Sequence, residues 1–444
     1  SAVDISDNGY QKPLLPQIVF PEITKFTNDK GEVFFAKTKQ PVKYRLRKMG
    51  FKDLEMINDQ KIILEKENDL EKLAEQKPAN IWLGALDLGN AQDKIIFKMQ
   101  CGFCHQQGTS FTRAPRNPSE WKEVNSRMIR YGSRLPSDLQ KTFPQKLSDG
   151  YQKLRNHLEL LAEAPSWQSD LARVTLTEWP IGDSMSQVHD MIVGINKNIY
   201  VADNIQDRLY EINPSLNTVT VYKIPHLKND VAGGLIAARL KEFPKHDSTS
   251  NAHSLVQSKR DGHIFITPSA QRRLIEFDPV NKSFLLHEMS EGFYPHTIRI
   301  DSQDNVWFTL ALSNQVAKFD RQKKSFSYFD LPARSFKEKM ITQNIGFLFK
   351  LMSWGIPLSN WLKIERDFNG TPLVYGIEIT NDDTVWVARL HTNEIGRIDS
   401  KTHKVEMIKT PFWVPRRLRA DKDNNLWITS FGESKIAKYS PQDK

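Results

Sequence analysis

Between residue 188 and the end of the chain one pattern recurs five times: a short alternating strand, a polar turn rich in Asp, Asn and Gly, and a second strand. The segments are VHDMIVGINKNIYVAD, AHSLVQSKRDGHIFITP, PHTIRIDSQDNVWFTLA, YGIEITNDDTVWVARL and PRRLRADKDNNLWITSF. The first four are each followed by another strand pair, as in DRLYEINPSLNTVTVYKIP, RRLIEFDPVNKSFLLHEM, NQVAKFDRQKKSFSYFDLP and NEIGRIDSKTHKVEMIKTP. A four-stranded unit cannot bury its own apolar face, so units at a spacing of about 43 residues must stack on one another, which is the logic of a β-propeller. The period of two excludes helical solenoids.

The repeats align five chemically distinctive residues. His189, His253, His296, Tyr375 and Arg416 stand eleven residues before Tyr200, Ile264, Trp307, Trp386 and Trp427. The start of the innermost strand lines one mouth of a propeller channel, so these five are expected to converge there. His suits metal ligation or proton transfer near neutral pH, Tyr donates a hydrogen bond and Arg holds an anion. A binding site, with a divalent metal in the channel as one form of it, stands against ordinary mouth residues satisfied by water. Asp203, Leu310, Arg389 and Ser430, three residues past the aromatic positions, vary too much to define a chemistry.

The two cysteines of the chain form a single motif, CGFCH, at Cys101, Cys104 and His105. Thioredoxin-like sites also use C-x-x-C, but the following His and the lack of a βαβ pattern nearby favour covalent attachment of one haem c. Both thiols then reach the vinyl groups of one porphyrin edge, and His105 becomes the proximal iron ligand. The competing readings are a reducible dithiol and an accidental pair.

The flanking sequence predicts helices. NAQDKIIFKMQ places Ile95, Ile96 and Met99, or Phe97 and Met99, on one face. Pro118 and Ser119 start a second helix with Trp121, Val124 and Met128 on its apolar side, and Tyr151, Leu154, Leu158 and Leu161 form the stripe of a third. Met128 is the first choice for the distal iron ligand, because a thioether raises the reduction potential; His157 is the alternative.

With 444 residues, two or three domains are expected. The net charge of +9 suits an acidic redox partner or anionic lipid, yet Lys and Arg are interspersed with acids and match no nucleic-acid motif. Nucleic acid is therefore not expected as a partner. Haem c is attached after export, so the expected location is the bacterial periplasm or beyond, and the polar start at Ser1 is read as following cleavage of a signal peptide.

The repeat, with its W-[FV]-T-x strand end and [KR]-[FI]-D close, resembles the streptogramin lyase (virginiamycin B lyase-like) family over about residues 170–444. That resemblance implies a seven-bladed propeller and, in the family, a catalytic His and Glu near the channel with magnesium. Here the family's W-F-T-E reads WFTLA, WVARL and WITSF, without the Glu; His253 and His296 match channel histidines. The stretch from PANIWLGALDLGNAQDKIIFKMQCGFCHQQG to EWKEVNSRMIRYGSRL looks like the cytochrome c domain fused ahead of such propellers. Upstream, TNDKGEVFF is similar to the turn of a carboxypeptidase regulatory-like β-sandwich. The expected fold is therefore multidomain: a small β-sandwich over 1–78, an all-α cytochrome c domain over 79–168 and a C-terminal β-propeller over 169–444. Five units are obvious in the repeats, so the blade count stays open.

Residues 334–366 interrupt the repeats with Phe, Leu, Met and Trp. An apolar insertion on a propeller face is expected either to dock on a partner or membrane surface, or to pack as a lid on its own propeller or cytochrome. Two functions follow. In one, the chain is a monohaem electron-transfer cytochrome whose propeller is a docking scaffold in a larger assembly. In the other, it is a periplasmic dehydrogenase whose propeller mouth oxidises a small molecule and passes electrons to the haem. A lyase is the third expectation. A low-spin haem with both axial positions filled shuttles an electron but activates no substrate, which favours the first.

Overall fold

The computed structural model describes residues 2–3, 15–36, 41–56, 61–102, 105–130, 133–165, 168–236, 248–354, 356 and 371–442. The chain divides into two compact units, one made of Ser1–Pro21 with Trp179–Lys444 and the other of Glu22–Glu178. Strands β1 (Ala2–Val3) and β2 (Gln17–Ile18) belong to the first.

The second unit is closed by β3 (Glu22–Lys25) pairing antiparallel with β6 (Thr175–Glu178). Between them lie a hairpin of β4 (Tyr44–Leu46) and β5 (Leu54–Met56), then helices α1 (Leu70–Glu75), α2 (Ala79–Ala85), α3 (Ala91–Cys101), α4 (Pro118–Arg130) and α5 (Ser137–Asn156). The helix starts follow from their caps. Asn90 accepts from the Asp93 N–H, and Asn117 and Glu120 exchange bonds across the first turn of α4 as a capping box. Leu139, Phe143, Leu147, Tyr151 and Leu154 of α5 are buried with Ile96, Phe97 and Met99 of α3, Trp121 of α4 and Trp82 of α2. Gly150 admits the end of α2 against α5, since a Cβ there would lie 2.8 Å from a Leu86 methyl.

The first unit carries the repeats. Strands β7 (Val188–Val193), β8 (Ile199–Asp203), β9 (Arg208–Asn213) and β10 (Thr218–Lys223) form one antiparallel sheet. β11 (Ala252–Gln257), β12 (Ile264–Pro268), β13 (Arg273–Asp278) and β14 (Ser283–Glu288) form the next, followed by β15 (Pro295–Ile300), β16 (Val306–Leu310), β17 (Gln315–Asp320) and β18 (Ser325–Asp330). Helices α6 (Phe336–Gln343) and α7 (Ile345–Ser353) intervene. A sheet of β19 (Leu373–Ile379), β20 (Val385–Leu390), β21 (Glu394–Ile398) and β22 (Val405–Lys409) comes next, and β23 (Pro415–Ala420), β24 (Leu426–Ser430) and β25 (Lys435–Tyr439) form the last.

The turns explain the strand pairs. Asp301 accepts from the backbone N–H groups of Gln303 and Asn305 while Asp304 takes φ 70°, and Asp421 repeats this with Asp423, Asn425 and a left-handed Asn424. Asp278, Asp320 and Asp399, which close the [FI]-D pattern, do the same for the second hairpin of each unit. Core forms between successive sheets. Tyr200 and Leu209 pack with Leu255 and Ile266, Phe265 with Phe308 and Phe319, Trp307 with Val387 and Ile398, and Trp386 with Leu418 and Ile428. This is propeller-like packing, and among the described residues each of the five repeats forms one sheet.

Two expected boundaries differ from those observed. The 1–78 segment does not stay together: β1 pairs with β14 and β2 with β10, adding a fifth strand to two sheets. The reason is physical, because β10 and β14 are outer strands whose unpaired backbone groups accept another strand. Residues 22–78 share one compact unit with the helices, and that unit ends at Glu178 rather than 168. Among the described residues of 22–78, the strands are β3, whose partner β6 lies beyond the helices, and the β4–β5 hairpin.

Candidate functional site

Each innermost strand carries a β-bulge at its start. The register shifts between Val188 and Asp190, Ala252 and Ser254, Pro295 and Ile298, Val374 and Gly376, and Pro415 and Leu418. His189, His253 and Tyr375 are the residues inside three of those shifts, and His296 and Arg416 share the other two with Thr297 and Arg417. A bulge leaves one residue out of the ladder and re-aims its side chain, so all five are turned the same way by the same backbone device.

They meet in sequence order. Ring centroids are 3.8 Å apart for His189 and His253, 4.0 Å for His253 and His296, and 4.1 Å for His296 and Tyr375. Arg416 donates to the Tyr375 hydroxyl at 2.9 Å and lies over that ring, with Arg417 alongside. His253, His296 and Tyr375 are buried; His189 is exposed at the rim and Arg416 partly so. The Nδ1 of His189 faces the backbone carbonyl of His253 at 3.0 Å, and that of His296 faces the carbonyl of Tyr375 at 3.1 Å. A carbonyl oxygen only accepts, so each Nδ1 carries the hydrogen and each Nε2 keeps its lone pair.

Burial holds His253 well below the usual imidazole range, helped by its histidine neighbours and Arg417 and Arg416. His296 is lowered for the same first reason, then by His189 and Arg417. His189 is lowered by desolvation against the pull of its carbonyl and Asp190. The result is a stack of neutral imidazoles ending in a phenol and two guanidiniums, suited to holding an anion at the mouth. Among the described residues no group of three His, Cys, Asp or Glu is arranged to hold a metal ion.

Three threonines complete the arrangement and were not singled out by the sequence reading. Thr267, Thr309 and Thr429 accept from the N–H groups of Ser254, Thr297 and Arg417 beside the bulges. Thr267 and Thr309 also donate to the carbonyls of His296 and Tyr375 in the next sheet. The T of IFITP, WFTL and WITS is the signal that finds them. It also corrects one register: Phe265, not Ile264, corresponds to Trp307, because the turn of the second sheet holds one more residue. Arg389, set aside for its variability, is fully buried and binds Glu338 and Glu394 at 2.7 and 2.8 Å.

That pair fixes the insertion. Glu338 on α6 also takes a bond from Arg334, and Phe349 of α7 packs on Phe293 at 5.1 Å. The next residue, Tyr294, flanks His253 and His296. The described part of the insertion, residues 334–354 and 356, therefore packs on its own propeller beside Tyr294; residues 357–366 lie outside the described residues. Phe336, Met340, Phe347 and Trp354 remain exposed. No helix among the described residues is long and apolar enough to cross a membrane.

In the second unit, Cys101 ends α3 and is partly buried; Cys104 lies outside the described residues. Gln107 spans the motif, donating to the Cys101 carbonyl at 2.8 Å and to the His105 Nδ1 at 3.2 Å. His105 is exposed, and Met128 is half-buried on α4. His157, at the end of α5, is exposed and donates through Nδ1 to Glu159 at 2.9 Å. The buried Tyr151 hydroxyl has no hydrogen-bond partner among the described residues, and desolvation first, then Cys101, pushes its pKa up to about 12.

No protein-family model and no curated protein sequence matches the chain. Similar solved structures include a catalytically inactive virginiamycin B lyase of Staphylococcus aureus with quinupristin, at 16% identity over 61% of this chain and 75% of that one, TM-score 0.42. A streptogramin B lyase aligns at 14% identity over 57% and 70% of the two chains, TM-score 0.40. The periplasmic gluconolactonase of Pseudomonas aeruginosa aligns at 11% identity over 59% and 69%, TM-score 0.40.

Proposed function

We propose that the chain is an exported monohaem c-type cytochrome that transfers electrons, with the propeller as its docking scaffold in a larger redox assembly. The observation that carries it is the C-x-x-C-H motif, whose Cys101 ends α3, together with a buried Tyr151 hydroxyl that has no partner among the described residues. A buried polar atom without a partner costs about 1–3 kcal/mol, which a bound group bearing acceptors relieves. Cys101 and Cys104 would hold the haem as thioethers and His105 would bind the iron. Met128 would take the distal position in preference to His157, whose ring is exposed and engaged with Glu159. When bound, the haem supplies a reversible one-electron couple. Gln107 ties Cys101 to His105, and the apolar faces of α3, α4 and α5 exclude water. The basic chain would meet an acidic partner, outside the bacterial cytoplasm, where haem c is attached.

The test is expression with the cytochrome c maturation proteins, followed by denaturing electrophoresis with haem staining and a pyridine haemochrome spectrum. The expected result is one covalent haem that is lost in Cys101→Ala/Cys104→Ala. A wild-type chain that stays unstained overturns the proposal.

The second reading, a dehydrogenase, is favoured by the ring at the propeller mouth: Tyr375, Arg416 and Arg417 present donors to an anionic small molecule, and Nε2 of the exposed His189 offers a lone pair to a proton. Calorimetry with small carboxylates on wild type and Arg416→Gln tests it. Absence of binding to the wild type sinks it.

A further inference from the structure

The helices that interrupt the repeats have two unlike sides. The inner side is fastened to the propeller. Glu338 and Thr342 of α6 are buried, Glu338 binds Arg389 at 2.7 Å, and Ile345 and Phe349 of α7 pack on the cluster of Ile236, Ala270 and Phe293. The outer side is apolar and faces solvent. Phe336 and Met340, one turn apart on α6, are 78% and 47% exposed. Phe347 of α7 and Trp354 at its C-terminal cap are 57% and 64% exposed. With the inner contacts in place the helices cannot roll this side inward, so only a surface arriving from outside removes it from water.

The charges on these helices say what that surface is. From Pro332 to Trp354 the charged residues are Arg334, Lys337, Glu338, Lys339 and Lys350. The single carboxylate, Glu338, is buried and taken up by Arg334 and Arg389, while the three lysines are exposed. The outward charge is therefore wholly positive. Lys350 lies 5.4 Å over the Trp354 ring, so a cation and an aromatic share one spot. Protein interfaces are depleted in lysine, and a second copy would bring lysines against lysines, whereas helices that lie on a bilayer combine Lys with Phe and Trp. Helices of 8 and 9 residues, about 12–14 Å long, lie in the plane of a membrane surface rather than crossing it.

We propose that the outer side of α6 and α7 docks on an anionic lipid bilayer. Phe336, Met340, Phe347 and Trp354 enter the boundary between headgroups and acyl chains, and Lys337, Lys339 and Lys350 face the lipid phosphates. Neither the haem nor the propeller mouth takes part in this contact.

The experiment is co-sedimentation of the full chain with vesicles of phosphatidylcholine alone and of phosphatidylcholine mixed equally with phosphatidylglycerol, at low and high salt. Wild type is compared with Lys337→Gln/Lys339→Gln/Lys350→Gln, Phe347→Ser/Trp354→Ser and Trp354→Phe. All these positions are exposed, and circular dichroism checks the fold. The expected result is binding to the anionic vesicles that salt weakens, with about a hundredfold loss in the lysine variant, roughly fivefold for each charge. The Phe347→Ser/Trp354→Ser chain should lose at least as much. Brominated lipids should quench part of the tryptophan fluorescence of wild type, and that part should vanish in Trp354→Phe, which still sediments. A wild type that stays in the supernatant with anionic vesicles overturns the proposal. So does binding that the lysine and apolar variants leave unchanged, because another basic surface is then responsible. Self-association without lipid that Phe347→Ser/Trp354→Ser abolishes in sedimentation velocity would make a second copy the occupant, and overturns it too.

Discussion

His296 donates its Nδ1 hydrogen to the backbone carbonyl of Tyr375 at 3.1 Å, across the boundary between two sheets. Both residues are buried, so the bond is shielded from water. His296→Leu removes the donor, although Thr309 still serves the same carbonyl. A loss of about 1–2 kcal/mol is expected in urea denaturation, together with a looser Tyr375.

The same histidines make stability fall with acid. Their pKa values lie below the ordinary 6.5 in the folded chain, so the unfolded chain binds protons first as pH drops. Stability should be level above about pH 6.5 and decline below it, until the folded-state values are passed. A His253→Gln/His296→Gln chain should show a shallower decline in denaturant midpoints between pH 7 and 4.5. An equally steep decline would place the acid sensitivity elsewhere.

Arg389 is the most exposed to disruption by a single change, because Glu338 and Glu394 depend on it in the core. Arg389→Leu leaves the buried Glu394 without its cation and Glu338 with Arg334 alone, with an expected cost of about 3–5 kcal/mol. Limited proteolysis should then cut within residues 334–354, since Glu338 anchors α6. Arg389→Leu/Glu338→Leu/Glu394→Leu should recover much of the loss.

Asp207 gathers the approach to the second sheet. Its carboxylate accepts from the Ser248 hydroxyl at 2.6 Å, the Thr249 N–H and hydroxyl, and the N–H groups of Ser250 and Asn251. Asn251 stands two residues before His253. Asp207→Asn turns one acceptor oxygen into a donor facing donors, and should cost about 2–4 kcal/mol in thermal or chemical denaturation.

In the haem-loaded protein, Met128→Ala should abolish the thioether-to-iron charge-transfer band in the oxidised spectrum, and His157→Ala should leave it in place. A band that persists in Met128→Ala rules this methionine out.

Much of the propeller was legible because its signals are local. Alternation writes the strands, Asp301 and Asp421 write the turns, and the spacing of His189, His253 and His296 writes the convergence. What the sequence did not carry was geometry across distance. The pairing of Val3 with Leu286 and of Ile18 with Thr218 is set by open sheet edges, which leave no pattern in a two-residue strand. The bulges were invisible too, because an extra residue in a strand changes hydrogen bonding without changing composition. The slip from Ile264 to Phe265 came from one added residue in a turn. Near the C-x-x-C-H motif, caps and stripes announced the helices, but the stacking of Trp121 on Tyr151 depends on how those helices pack.

The pairing of Ile23 with Thr177 brings the two ends of a long segment side by side. Residues 26–174 thus leave from and return to two adjacent antiparallel strands of the same unit. Such a segment is a cassette: a short hairpin turn can stand in for it, and closing a shorter loop costs less entropy. The helical segment is therefore exchangeable as one piece, without rewriting the strands that flank it.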